Sequence, residues 1–182
     1  MANKIGRIVL GIVIVCAIIV GVYFVLPGSV KNPLTAWIQN ETDSNYAPIV
    51  DALKGATIPK NKGVTFDSKV SIMDGNAWTI KKIDVDDAGN GTYDVYADGY
   101  KVTVSMENET NDTGMVTFTN AHVRLTFHIT KKGSEITIGD KEVVAGKAAT
   151  PAELSVNETT YHSTDKDTYY QAALNCIANY NK

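Results

Sequence analysis

The chain of 182 residues has only two cysteines, Cys16 and Cys176, and three histidines. Two cysteines cannot staple a disulfide mini-domain or build a cysteine-based zinc site. No Gly-x-Ser-x-Gly elbow, His-Glu-x-x-His pair or glycine-rich phosphate loop occurs, so no catalytic, cofactor-binding or metal-ligating residue is assigned. His122 and His128 fall on one strand face, but six residues of extended chain separate them by about 20 Å, too far to share an ion. Positive charge is scarce beyond residue 31. The first 31 residues carry Lys4, Arg7 and Lys31 without an acid, whereas the remainder holds 14 basic and 20 acidic residues. An acidic surface makes few phosphate contacts, which excludes nucleic acid as a partner. Hydrophobic residues at 44% and charged residues at 20% exclude a wholly disordered chain.

What is present begins with Ile8 to Leu26, an uncharged apolar run. As a helix it would reach about 28 Å, the thickness of a bilayer core. The run is longer than a signal-peptide core, and no small-x-small cleavage site follows it. The expectation is a single transmembrane anchor at 8–26 that ends at Pro27-Gly28. Lys4 and Arg7 precede it, so the positive-inside rule puts the N-terminus in the cytoplasm and residues 31–182 outside the cell membrane. The division expected is a cytoplasmic tail at 1–7, the anchor, a stalk with a short helix at 27–63, and an extracytoplasmic β domain at 64–182.

Within 31–45, Leu34, Trp37 and Ile38 stand at helical spacing in an otherwise polar stretch. Tyr46, Ile49, Val50 and Leu53 then follow i, i+3, i+4, i+7, with Asn45 as the cap and Gly55 as the stop. From Val64 the period becomes two. Val70 and Ile72 alternate, as do Trp78 and Ile80, Tyr93 and Val95, then Tyr100, Val102, Val104 and Met106. Val123, Leu125, Phe127 and Ile129 form the cleanest strand, with His122, Arg124, Thr126 and His128 opposite. Turn signals divide these runs, among them Asp74-Gly75, 86–91, Asp98-Gly99, 108–114 and 131–134. The pattern predicts a mainly β protein, an antiparallel sandwich with a short N-terminal helix and a C-terminal helix over 167–179. Cys176 belongs to the packed face of that last helix. The acidic loop from Asp84 to Gly91 fails the EF-hand spacing and reads as a solvated hairpin turn.

Residues 100–157 resemble the LEA14-like (type 2 late embryogenesis abundant, or WHy) domain. The likeness rests on the alternating strand ending in Asn108-Glu109-Thr110-Asn111, a second strand, the Gly133 and Ile138-Gly139 turn, and Gly146 with Thr150 before a last strand. The family's usual proline is absent from the tip, and the turn holds two extra residues. The resemblance implies an immunoglobulin-like fold without a catalytic site and roles in stress tolerance or ligand binding.

Five Asn-x-Thr sequons stand at Asn40, Asn90, Asn108, Asn111 and Asn157, and they are candidate glycosylation sites. Together these features lead to an anchored, glycosylated, non-enzymatic cell-envelope protein that binds a protein or surface-polymer partner. The alternative is a pilin-like filament subunit processed after Gly6, where a basic leader meets the apolar run.

Overall fold

The computed structural model describes residues 20–108, 114–164 and 168–181. Helix α1 (Gly28–Thr42) leads into α2 (Tyr46–Gly55) and the short α3 (Phe66–Val70). Among the described residues seven strands follow: β1 (Asp74–Val85), β2 (Gly91–Asn108), β3 (Gly114–Lys132), β4 (Glu135–Ile138), β5 (Lys141–Glu142), β6 (Glu153–Val156) and β7 (Thr159–His162). Helix α4 (Thr168–Ala178) follows the last strand.

All ladders are antiparallel and belong to one seven-stranded sheet. β3 is its hub. It pairs with β2 along one side, and with β6 at 123–126 and β4 at 130–132 along the other. The antiparallel, mainly β expectation therefore stands, with the strands joined in one continuous, branched sheet. Tyr93, Val95 and Ala97 of β2 and Val123, Leu125, Phe127 and Ile129 of β3 point to the inner face. Ile49, Val50 and Leu53 of α2, Phe66 and Val70 of α3, and Ala173, Leu174 and Ile177 of α4 join them in a single core. Phe127 sits at its centre, edge-on to Phe66 at 5.1 Å and stacked on Trp78 at 6.1 Å.

The anchor expectation is corrected. Among the described residues no helix is long and apolar enough to cross a membrane. Residues 20–25 are helical, but Pro27 and Gly28 turn the chain. The Tyr23 hydroxyl meets the Thr35 hydroxyl of α1 at 2.5 Å, and Lys31 Nζ stands 5.0 Å over the Tyr23 ring. These contacts hold the Tyr23 end of the apolar run against α1. Residues 8–19 and Gly6 lie outside the described residues. The cell-membrane location, with the N-terminus cytoplasmic and the rest outside, rested on the anchor and loses its basis.

Local departures have local causes. Residues 28–42, read as stalk, are helical and run along β1. α2 has the expected buried stripe, yet the Asn45 side chain makes no cap bond; it packs instead against Gly89, whose φ of +77° a Cβ would spoil. The alternation of Val70 and Ile72 gives way to α3, because the Thr65 hydroxyl caps the Ser68 N–H. Asp98-Gly99 is no turn: β2 runs straight through it. Finally, Tyr100 does not share a face with Val102. Lys101 at φ +56° and Asn120 at φ +53° lie where the β2–β3 register slips. These bulges exchange inside and outside between the two halves of the hairpin.

Candidate functional site

The bulges leave Asp94, Tyr96, Asp98 and Tyr100 on the outer face of β2. The cross-strand register sets Asp98 beside Arg124, then Ser155 and Thr160, and sets Tyr96 beside Thr126, then Glu153 and His162. Asp94 stands opposite His128. Polar alternation on four strands thus assembles one polar, aromatic face.

Asp98 is its centre. Its side chain is 0% exposed, although it lies on the face away from the core. Arg124 Nε donates to Asp98 Oδ1 at 2.8 Å and Nη2 donates to Oδ2 at 3.2 Å. His122 Nε2 meets Oδ1 at 2.6 Å. Both partners remain about one-third exposed, Arg124 at 36% and His122 at 31%. Burial works against the Arg124 charge, but the Asp98 carboxylate more than offsets it and raises the guanidinium above its ordinary range. The fork of Arg124 matches the two carboxylate oxygens, the geometry that makes such pairs strong.

Two tyrosines brace this network. The Tyr100 ring is stacked on His122 at 4.4 Å, with 6° between the planes, and the guanidinium of Arg124 lies 5.0 Å from the Tyr96 ring centre. Asn32 of α1 donates to the Tyr100 hydroxyl at 3.0 Å, and Gly28 gives that hydroxyl the room a side chain would take. Burial, with Asp94 adding for Tyr96 and Asp98 for Tyr100, pushes both phenols up.

Each of the three histidines meets a carboxylate on this face. His122 has Asp98, His128 Nδ1 lies 2.8 Å from Asp94, and His162 Nδ1 lies 3.5 Å from Glu153. The sequence showed the histidines as solvent-facing and gave no sign of these partners, which come from neighbouring strands. The usable signal was the polar alternation of β3. Among the described residues no group of three His, Cys, Asp or Glu is placed to hold a metal ion.

The sequons are dispersed. Asn40 is exposed on α1. Asn157 is exposed in the β6–β7 turn at φ +54°, where its Oδ1 accepts from the His122 N–H. Asn90 is committed at both ends: Nδ2 donates to Asp86 and Oδ1 accepts from the Gly133 N–H. This holds the 86–91 turn as a hairpin. Asn108 closes β2, and Asn111 lies outside the described residues. Gly133, Gly139 and Gly146 occupy turns, all at positive φ. Cys176 is half-buried and its thiol donates to the Ser105 carbonyl, while burial pushes its pKa up.

No family model, curated protein or solved structure matches this chain.

Proposed function

We propose that the chain is a non-enzymatic binding protein whose β-rich head presents the outer sheet face around Asp98 to a partner protein. Asp98 carries this reading: a fully buried carboxylate on a face where folding asks only for exposed polar residues. Buried ion pairs add little net stability compared with apolar packing. What this one does is fix Arg124 and the rings of Tyr96 and Tyr100 in one arrangement. Arginine and tyrosine carry much of the binding energy at protein interfaces, and a pre-set surface loses less freedom on binding. The LEA14-like resemblance supports the same non-catalytic reading.

A photoreactive residue in place of the exposed His128 tests it in the source cell. The expected result is a defined cross-linked partner that is lost when Tyr96 is changed to alanine in a folded protein. Equal capture of that partner from position 62, on the helix side, would overturn the proposal. So would capture that ignores Tyr96→Ala, or no capture at all.

A further inference from the structure

A sheet is open wherever a strand lacks a neighbour, and open edges recruit other strands. This chain closes most of its own. Along β1, the Tyr46 hydroxyl donates to the Trp78 carbonyl at 2.7 Å, and the Gln39 amide serves both the N–H and the C=O of Ile80. The same edge then carries Lys81 and Lys82. β5 is two charged residues long, and β7 has only four residues. The distal half of β2 is covered by α4, where Cys176 takes the Ser105 carbonyl.

Among the described residues the exception is β3 from Gly114 to Asn120. Its ladder to β6 starts only at Val123, and the β6–β7 turn ends beside His122, where the Asn157 N–H donates to the His122 carbonyl. The Ser105 carbonyl points away from β3 to reach Cys176. Ser105 and its partner Thr117 are therefore a pair that does not exchange backbone bonds. The N–H and C=O of Thr117 accordingly face the open edge. This stretch reads Gly-Met-Val-Thr-Phe-Thr-Asn and has no charge. It also carries Val116, which is 40% exposed, next to the half-buried Phe118.

The geometry points to a second copy of this chain as the occupant, paired antiparallel through the same edge about a two-fold axis at Thr117. Thr117 is the middle of the open stretch, so the symmetric register uses all of it. The two Thr117 residues exchange both backbone bonds. Val116 meets Phe118 across the axis, a β-branched and aromatic pair of the kind that stabilises antiparallel ladders. No like charges are opposed, and the two sheets become one across an isologous interface. This inference goes beyond the binding face and does not rest on it.

Sedimentation of the full chain across a concentration series, with hydrogen exchange, provides the test. The expected result is a dimer in which the Thr117 amide gains protection as concentration rises. Thr117→Pro removes the N–H and leaves a monomer. Val116→Lys, a change at an exposed side chain, raises the dimer dissociation constant at least tenfold and covers the case in which the proline variant fails to fold. A wild-type chain that stays monomeric overturns the inference. So does a dimer that survives Val116→Lys but is lost with Trp37→Glu, which would place the contact on the apolar surface of α1.

Discussion

Removing the Asp98 carboxylate leaves Arg124 and His122 aimed at a buried position with no acceptor. Asp98→Ala is expected to cost about 2–4 kcal/mol, the range for unmaking a buried, charge-assisted network whose cations can still reach water. Urea unfolding checks it, and a loss under about 1 kcal/mol would show the network to be peripheral. Tyr46 allows a pH prediction. Burial, with Asp51 adding, pushes its phenol up to about 12. Its folded value lies above the ordinary 10, so the neutral phenol stabilises the fold fully below pH 10. That contribution fades as pH rises toward 12. In Tyr46→Phe, which also loses about 1–2 kcal/mol with its bond to Trp78, the alkaline decline in stability should flatten. Among the described sequons, Asn40 and Asn157 are exposed, whereas the Asn90 carboxamide is already engaged at both ends.

At the scale of elements, α1 matters as the cover of an edge. Gln39 imitates a peptide group opposite Ile80, and Lys82 bonds Asp43 at 3.0 Å just beyond the helix end. Burial pushes the Asp43 carboxyl up, but the Asn45 N–H and Lys82 outweigh it, leaving the pKa below its usual value. Gln39→Ala should cost about 1–2 kcal/mol and speed hydrogen exchange at the Ile80 amide, with core amides such as Phe127 unchanged. Equal acceleration at both would mean that the whole sheet had loosened. The paired bulges at Lys101 and Asn120 are the other decisive local feature. They turn Tyr100 outward onto His122 while Val102, Val104 and Met106 keep the distal half of the hairpin on α4.

For the molecule as a whole, self-pairing through β3 ties stability to mass action. The melting temperature should rise with protein concentration in the wild type and lose that dependence in Val116→Lys. The outer face and the β3 edge lie on one sheet, but the first depends on side chains and the second on backbone. Changes at Tyr96 should therefore leave the association state alone.

Period and turn chemistry in the sequence determined a good deal: a mainly antiparallel β protein, the α2 stripe, the 86–91 hairpin and the C-terminal helix. Each is a local pattern that repeats within one segment. Tertiary structure decided the rest, because it depends on which segments become neighbours. Asp98-Gly99 reads locally as a turn, yet Met73 fills the space beside Gly99 and Arg124 from another strand claims Asp98. An apolar run that matches a bilayer in length carries, at Tyr23, a hydroxyl that finds Thr35 of the same chain. Three histidines six or more residues apart acquire three carboxylates only when the strand register is set. A count along the chain sees spacing; the chemistry of this face comes from pairing across it.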